Sequence, residues 1–248
     1  MFKDYGELST TLYEHTKPPG HSVGGDIEYY ANKLTGMTGR ILEAGVGTGR
    51  MLIPLLQKGF IVDGVDISLE MLDKCRDNLN KYGLTAALYQ QDLSKLSLPH
   101  KYDAIIMPTG SFCLLPRDII EDTLTSFLNH LEIGGKLIFD IIFPDDFKQG
   151  ETFMRCYQLD DNAGILYTNF HSEIDWISQK TSHMIKYDLV KNGEVQKTEV
   201  SDFTIFWYGI KEMEMLLRFV GFEGINHEFG YGSQGQSQSV TFTAIKER

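Results

Sequence analysis

Apolar and polar residues follow two different periods along the first 143 residues of the chain. Short, continuous apolar runs, which predict buried strands, alternate with segments in which apolar residues recur at helical spacing. The predicted strands are 40–44, 60–66, 86–91, 102–107 and 136–143, and the predicted helices are 26–34, 50–58, 69–81 and 118–131. Asp26 and Ser68 are the predicted N-caps of the first and third of these helices. Repeated strand–helix steps in one direction predict a doubly wound α/β fold, in which helices cover both faces of a parallel sheet.

The pattern changes after Pro144. Three long segments rich in β-branched and aromatic residues predict an antiparallel β-meander; they are 165–178, 181–190 and 194–206. Lys191-Asn192-Gly193 predicts a type I′ turn between the last two. After the meander, the sequence returns to the α/β pattern with a predicted helix at 211–220. Two more predicted strands, 222–229 and 240–245, flank a glycine-rich loop at 230–239 and complete the parallel sheet's domain. We therefore expect an insertion, 144–206, within an α/β domain made of 26–143 and 207–248.

Composition and charge narrow the classes of function. Hydrophobic residues make up 42% of the 248 residues and charged residues 23%, as in globular chains with a core of their own. The net charge of −11 makes a nucleic-acid partner unlikely, because such partners are bound by neutralising phosphates. Three scattered cysteines and unpaired histidines predict no metal site. With no membrane-length apolar stretch and no apolar leader, the sequence predicts a soluble, cytoplasmic protein.

The candidate chemistry lies in a glycine-rich turn, Gly45–Gly49, after the first predicted strand. Its alternate glycines let a ligand lie against the backbone, since no Cβ stands in the way. Asp66 ends the next strand, where a carboxylate can accept both hydroxyls of a ribose. Arg50 stands where a dinucleotide-binding turn needs glycine, and Glu43 would repel a pyrophosphate but attract an ammonium group. These features predict S-adenosylmethionine as the ligand; the alternative is a tight structural turn beside a solvated aspartate.

A set of short motifs resembles one enzyme family. The motifs are ILEAGVGTGR at 41–50, GVDIS at 64–68 followed by Met71-Leu72, QDL at 91–93, YDAII at 102–106, LEIGGKL at 131–137 and FVGF at 219–222. Together they are similar to the class I S-adenosylmethionine-dependent methyltransferases of the small-molecule type. The resemblance implies a Rossmann-like, seven-stranded doubly wound sheet, here with an antiparallel β-meander inserted after the fifth strand, and S-adenosylmethionine as the cofactor.

The resemblance also implies which residues bind the cofactor. Glu43 would lie by the methionine moiety, Asp66 would hold the ribose, Asp92 would accept from the adenine amino group, and the pair 108–109 would lie near the transferred methyl group. Asp92 has an alternative role as a helix cap, and 108–109 as a plain strand end. The full set implied is Glu43, Gly45, Val46, Gly47, Gly49, Asp66, Ile67, Met71, Gln91, Asp92, Leu93, Pro108 and Thr109.

The N-terminal segment, 1–25, fits a lid. Tyr5, Leu8 and Leu12 share one helical face, and a connector rich in proline and glycine follows at 17–25. In small-molecule methyltransferases that this chain resembles, such a segment closes over cofactor and substrate, which makes Tyr5 and Tyr13 candidates to line the pocket. The alternative is a helix that only packs on a sheet.

The acceptor is less well defined by the sequence. An amine must be neutral to attack a methyl group, whereas a hydroxyl needs a base. The meander offers His171, Glu173 and Asp175, which are predicted to alternate along one strand face, although a solvated strand face explains them better than a catalytic role. Further meander candidates are Arg155, Tyr157, Tyr167 and His183. The predicted substrate contacts are Tyr5, Tyr13, Ser111, Phe143, Arg155 and His171.

We therefore predict a methyltransferase that moves a methyl group to a nitrogen or oxygen of a small metabolite. The insertion loosely resembles that of amino-sugar N-methyltransferases and glycine N-methyltransferase-like enzymes. Two other functions remain open: an RNA or protein methyltransferase, and a cofactor-binding module without catalysis. The sequence also leaves open whether the meander pairs across a homodimer or covers the active site.

Overall fold

The computed structural model of the protein describes residues 5–231 and 239–248. In these ranges the helices are α1 (Glu7–Thr16), α2 (Asp26–Lys33), α3 (Leu52–Gln57), α4 (Leu69–Tyr82), α5 (Ile120–His130) and α6 (Ile210–Val220). The strands are β1 (Arg40–Ala44), β2 (Ile61–Asp66), β3 (Leu88–Gln90), β4 (Tyr102–Met107), β5 (Leu131–Ile142), β6 (Thr152–Gln158), β7 (Ala163–Asp175), β8 (Lys180–Lys191), β9 (Glu194–Phe206), β10 (Glu223–Phe229) and β11 (Ser239–Ile245). Most of the predicted loop 230–239 and the start of the predicted lid lie outside the described residues.

Seven strands form the larger sheet, in the order β10-β11-β5-β4-β1-β2-β3. The strands β1 to β5 pair in parallel, whereas β11 is antiparallel to both β5 and β10. The predicted doubly wound sheet is therefore confirmed. The chain leaves β1 towards β2 on one side and later returns to β4 on the other. The carboxyl ends of β1 and β4 thus flank the switch in strand order, where sheets of this kind bind their ligands.

The central strands are buried on both faces. Ile41 and Leu42 of β1 point to opposite faces of the sheet, and both are fully buried. On one face a continuous apolar cluster joins α2, α3 and α4 to the sheet; its largest members include Tyr30, Leu34, Met51, Leu52 and Leu72. Elsewhere in the core the ring of Phe139 lies 4.4 Å from that of Phe112 and 5.6 Å from that of Phe242. This packing holds the carboxyl ends of the strands in place.

The chain divides into two compact units. One contains the large sheet, with 19–143 and 207–248, and the other contains the N-terminal residues up to Pro18 together with 144–206. In the second unit, β6 to β9 form an antiparallel sheet in that order. The helix α1 packs on this sheet, with Leu8 and Leu12 against Ile165, Ile185 and Tyr187. The N-terminal helix is therefore part of the unit that holds the meander.

The strand β6 is not predicted by the sequence pattern. Phe153 and Met154 are adjacent, so they project to opposite faces of the strand, and both are exposed. The apolar–polar alternation that marks a half-buried strand is therefore missing. Backbone pairing with β7, from Thr152 opposite Phe170 to Gln158 opposite Gly164, supports the strand instead.

Two predictions about element ends are wrong. Gly25, with φ at +91°, occupies the N-cap of α2, and Asp26 is the first helical residue with a fully buried side chain. The reason is that Asp26 binds Arg50 in the interior. The fifth strand begins at Leu131 instead of residue 136, because Leu131 already pairs with Tyr102 of β4 and the Gly134 N–H donates to the Lys246 carbonyl oxygen. Gly134 has a positive φ on this path. The predicted cap at Ser68 is confirmed, since its Oγ accepts from the Met71 N–H.

Within the described ranges, every helix is too short or too polar to span a bilayer.

Candidate functional site

The glycine turn follows β1 at the switch in strand order. Gly45, Gly47 and Gly49 all have positive φ angles, at +72°, +55° and +86°. A Cβ built on Gly47 would have no neighbour within 4 Å among the described residues, whereas one on Gly49 would lie 2.9 Å from the Cys75 Sγ. Gly47 therefore faces open space that a ligand can fill, and Gly49 allows α4 to pack closely.

Asp66 lies at the carboxyl end of β2, beside this turn. Its Oδ2 accepts from the Gly47 N–H at 2.8 Å and its Oδ1 accepts from the Ser68 N–H at 2.9 Å. Burial raises the pKa of Asp66, and the backbone N–H donors oppose that shift. Each carboxylate oxygen keeps a lone pair for another donor. The carboxylate is thus oriented by the protein and can still accept the two hydroxyls of a ribose.

Glu43 lies one residue before the end of β1 and is almost fully buried. No described residue donates a hydrogen bond to its Oε2. Burial raises the pKa of Glu43 to about 8, while the charge of Arg50 acts in the opposite direction. A buried polar atom without a partner is costly, and a cationic N–H donor placed beside it would remove that cost. The Glu43 side chain therefore fits a ligand that carries an ammonium group.

The surroundings of Glu43 are acidic. The Arg50 guanidinium is buried and binds the buried carboxylate of Asp26 at 2.5 Å, so the two charges largely neutralise each other. Asp26 and Asp66 both act to raise the pKa of Glu43. An excess of carboxylates suits a cationic ligand and disfavours a pyrophosphate.

The next strand ends bring further predicted residues to the same edge. The Gln91 N–H donates to the Asp66 carbonyl at 3.2 Å, and its side-chain amide binds the backbone of Ser97. Ile67 is 70% exposed, which leaves its side chain available to a flat ring. Three other predicted residues are buried, namely Val46, Met71 and Leu93.

Asp92 caps a short 3₁₀ helix that begins at Leu93. Its Oδ1 accepts from the N–H and the hydroxyl of Ser94, and these hydrogen bonds lower the pKa of Asp92. The capping role that the sequence left open is therefore present. The predicted contact with an adenine amino group would use the other oxygen, and it stays a prediction.

The turn after β4 contacts the glycine turn. The Ser111 Cβ lies 3.7 Å from the position a Cβ would take on Gly45. Pro108 is buried, and the polar groups of Thr109 bind Asp26, Arg50 and Asp140 in the interior. Ser111 thus faces the glycine turn, while Thr109 is partly exposed and its N–H and hydroxyl bind buried charged side chains. Phe143, just past the end of β5, is half-buried.

Two predicted substrate contacts lie on the meander. The Arg155 guanidinium lies over the Phe153 ring at 4.8 Å. The His171 Nδ1 is 3.2 Å from the Lys148 carbonyl oxygen, and its ring stacks on Phe147 at 4.6 Å. Whether they contact a substrate stays a prediction.

The predicted alternation of His171, Glu173 and Asp175 along one face is wrong. A bulge makes His171 pair with His183 and Glu173 pair with Ser182. Because His183 and Ser182 point to opposite faces of β8, His171 and Glu173 do so as well. Burial lowers the pKa of His183 to about 4, so this ring is neutral at pH 7.

The two tyrosines of the predicted lid contact their own unit or their own helix. The Tyr5 ring lies edge-on to Phe203 at 6.5 Å, and the Lys17 ammonium lies over the Tyr13 ring at 5.4 Å. The packing of α1 on the meander matches the alternative weighed for this segment. The lid role itself stays a prediction.

Two buried acids beside this site were missed as site residues. The sequence predicts Asp26 only as a helix cap and Asp140 only as part of an apolar strand. Asp140 stands alone in the run KLIFDIIF, and a single carboxylate in such a run is a signal that could have found it. For Asp26 the signal was Arg50, a buried cation that needs an acidic partner.

Comparisons with known proteins agree with this geometry. The family model described as a methyltransferase domain matches residues 41–135. The chain is 31% identical over 202 residues to a glycine/sarcosine N-methyltransferase from Aphanothece halophytica, a match that spans 71% of this chain and 76% of that protein.

Solved structures share the fold. An S-adenosylmethionine-dependent methyltransferase from Clostridium acetobutylicum superposes with a TM-score of 0.77 at 22% identity, over 95% of this chain and 96% of that one. The sugar N-methyltransferase KedS8 from Streptoalloteichus also has a TM-score of 0.77, at 18% identity, over 100% of this chain and 96% of that one.

The seven-stranded, mainly parallel sheet with an antiparallel insertion is the fold of S-adenosylmethionine-dependent methyltransferases. The chain belongs to the class I S-adenosylmethionine-dependent methyltransferases. It is an enzyme with S-adenosylmethionine as its cofactor, and the resemblance inferred from its motifs is confirmed. Residues 5–231 and 239–248 contain no group of three His, Cys, Asp or Glu side chains placed to hold a metal ion.

The raised pKa of Glu43 predicts a pH effect on stability. The carboxyl stays protonated in the folded protein up to about pH 8 but ionises near 4.5 when unfolded, so stability falls as pH rises between these values. Glu43→Gln removes this loss and should stabilise the protein without cofactor at pH 8 by roughly 1–4 kcal/mol, with little effect at pH 5. Urea unfolding across this pH range measures the difference. Glu121→Gln, on the exposed face of α5, is the control, and a gain for Glu43→Gln that does not change with pH would contradict the assignment.

Proposed function

We propose that the enzyme methylates a nitrogen atom of a small amine, held beside the glycine turn. The observation that carries the cofactor part of this proposal is the unpartnered Oε2 of buried Glu43. It supports a site for the ammonium group of the methionine moiety. The acceptor part rests on the relatives and on the charge of the chain.

The proposed cofactor contacts follow from the geometry of the edge. Glu43 accepts from the ammonium group, and Gly47 leaves the open space in which the tail lies against the backbone. Asp66, held by two backbone N–H groups, accepts the ribose hydroxyls. Ile67 lies along the adenine ring and Asp92 accepts from its amino group.

When bound, the cofactor would supply a methyl group on a positively charged sulfur. The acceptor lone pair would form the new bond to the methyl carbon in line with the carbon–sulfur bond, whose electron pair would stay on sulfur. The protein's own task is to orient both partners and to exclude water. The excess of carboxylates around Glu43 complements the positive charge at this edge. An amine acceptor needs no protein base for the attack itself once it is neutral, because its lone pair is then free.

Relatives favour nitrogen over oxygen as the acceptor atom. The relative from Aphanothece halophytica is named for glycine and sarcosine, and KedS8 for a sugar nitrogen. Both names describe small amine acceptors. The net charge of −11 disfavours RNA, since phosphates would be repelled by most of the surface.

Removal of the proposed contacts should weaken cofactor binding. Asp66→Ala and Asp92→Ala should each lower the affinity for S-adenosylmethionine by about 1–3 kcal/mol, the scale of a lost hydrogen bond to a charged group. Isothermal titration calorimetry measures this. Asp73→Ala, which removes an exposed carboxylate of α4, is the matched control and should bind like the wild type. Equal affinities for all four proteins would refute the proposed contacts.

Cofactor binding should also release a proton. The Glu43 carboxyl is mostly protonated at pH 7 because its pKa is about 8, and an adjacent ammonium group favours the ionised form. Binding of S-adenosylhomocysteine, which has the same ammonium group, should therefore release about one proton at pH 7. Calorimetry in phosphate and in Tris, which differ in ionisation enthalpy, counts the protons. Glu43→Gln should release none; release that persists in this variant would exclude Glu43 as its source.

A substrate screen decides the acceptor. Methyl-labelled cofactor should transfer its label to a member of a panel that contains glycine, sarcosine and amino sugars, and not to bulk RNA or protein. Mass spectrometry of the product identifies the methylated atom. Label found on RNA or protein, or on oxygen, would overturn the proposed acceptor class. Tight cofactor binding without any labelled product would favour a non-catalytic binding module.

A further inference from the structure

Thr109 has an unusual backbone conformation. Its φ is +60°, a region that β-branched residues rarely adopt because Cβ clashes with the backbone. Gly110, with φ at +74°, follows directly and caps the short helix Ser111–Leu114. The turn after β4 therefore depends on a strained residue, and other contacts must hold it in place.

Three buried polar groups hold Thr109. Its N–H donates to Asp140 Oδ2 at 2.6 Å, and its hydroxyl donates to Asp26 Oδ2 at 2.9 Å. The Arg50 guanidinium donates to the same hydroxyl at 2.5 Å. Asp26 and Asp140 are both fully buried. The N–H and the hydroxyl of Thr109 are thus both bound within the protein.

Asp140 is itself fixed from several elements. Its Oδ1 accepts from Tyr30 of α2 and Thr241 of β11, and its Oδ2 accepts from Tyr231, which follows β10, as well as from Thr109. With four donors from different parts of the chain, the carboxylate cannot shift without breaking buried hydrogen bonds. It therefore gives Thr109 a rigid anchor.

The turn after β4 lies between the end of β5 and the glycine turn, so the position of Thr109 affects the edge of the candidate site. A Cβ on Gly110 would lie 2.8 Å from the Ile142 side chain, so the turn packs tightly against the end of β5. On its other side, Ser111 faces the glycine turn, since its Cβ lies 3.7 Å from the position a Cβ would take on Gly45. The gap between Ser111 and the glycine turn is therefore set by the conformation of Thr109.

We propose that Thr109 is a positioning residue for methyl transfer, which fixes the Gly110–Ser111 wall against the glycine turn so that acceptor and methyl group are aligned. This inference rests on the proposed function. In the transfer, the carbon–sulfur bond breaks towards sulfur as the new bond to nitrogen forms, and the proton of the product ammonium passes to solvent. Thr109 exchanges no proton, because its hydroxyl hydrogen is bound to Asp26. Its effect is on alignment alone.

The test compares Thr109→Val, which keeps the shape and removes the hydroxyl, with Thr109→Ser, which keeps the hydroxyl. Misalignment by about 1 Å can slow a reaction about 100-fold, so Thr109→Val should lower kcat by about 10- to 100-fold. Its affinity for S-adenosylhomocysteine and its KM for the acceptor should stay within about threefold of the wild type. Thr109→Ser should have a kcat within about threefold of the wild-type value, because it keeps the hydroxyl. The acceptor is the amine that gives the highest turnover in the panel of glycine, sarcosine and amino sugars.

A matched control separates alignment from loss of stability. Tyr102→Phe also removes a hydroxyl that donates to a buried aspartate, Asp63. Tyr102 lies at the start of β4, at the opposite end of the strand from Thr109. This variant should keep the wild-type kcat. Hydrogen exchange of the 108–114 segment in the S-adenosylhomocysteine complex should become faster in Thr109→Val and return towards the wild-type rate in Thr109→Ser.

Three results would overturn the proposal. Wild-type kcat in Thr109→Val would show that alignment does not depend on the hydroxyl, and unchanged exchange of 108–114 would show that the turn is not held by it. A parallel loss of affinity for S-adenosylhomocysteine would make Thr109 a cofactor contact instead. If the wild type binds cofactor but methylates no amine, the proposed function fails, and the exchange measurement still decides whether Thr109 holds the turn.

Discussion

The buried ion pair between Arg50 and Asp26 is the interaction on which the cofactor edge depends. Arg50 directly follows the glycine turn in the chain. Its guanidinium binds Asp26 at the start of α2 and donates to the His21 carbonyl oxygen in the connector before α2. Removal of either charge would leave the other buried without a partner, at a cost of about 3–5 kcal/mol. The ion pair therefore ties the glycine turn, the connector and, through Thr109, the turn after β4 to one another.

The same ion pair contributes to the electrostatics of the site. Burial raises the pKa of Glu43 to about 8. The Arg50 charge acts to lower that pKa, and the charges of Asp26 and Asp66 oppose this effect of Arg50. A neutral, buried carboxyl is less costly than a buried anion in the protein without cofactor. In the proposed function, this carboxyl becomes an anion when the ammonium group of the cofactor binds, so the site gains its negative charge together with its ligand.

Much of the fold was readable from the sequence because local and tertiary preferences agree. The apolar runs of β1 and β4 match the strands as they stand, and the cap at Ser68 follows from a side chain that serves its own helix. The errors occur where distant contacts decide. Aspartate is a residue type that often caps helices, but the Asp26 side chain is bound by Arg50, 24 positions later. The strand β6 pairs with β7 through its backbone and has no apolar face.

The parts of the candidate site that lie in short, continuous motifs could be predicted from the sequence. The glycine turn and Asp66 follow from spacing, and the structure joins them through the Gly47 N–H. The role of Asp140 depends on donors from four separate elements, and no short motif records them. The bulge that separates His171 from Glu173 is likewise invisible in a pattern of alternating residues.

The packing of α1 on the meander has a consequence for synthesis. Leu8 and Leu12 leave the ribosome first, but their partners Ile185 and Tyr187 are made more than 170 residues later. At about 5–20 residues per second this delay is roughly 10–35 seconds, and a helix of ten residues is marginal alone in water. The segment that forms α1 therefore stays unfolded until β8 has been made, and the smaller unit can close only after that strand has left the ribosome.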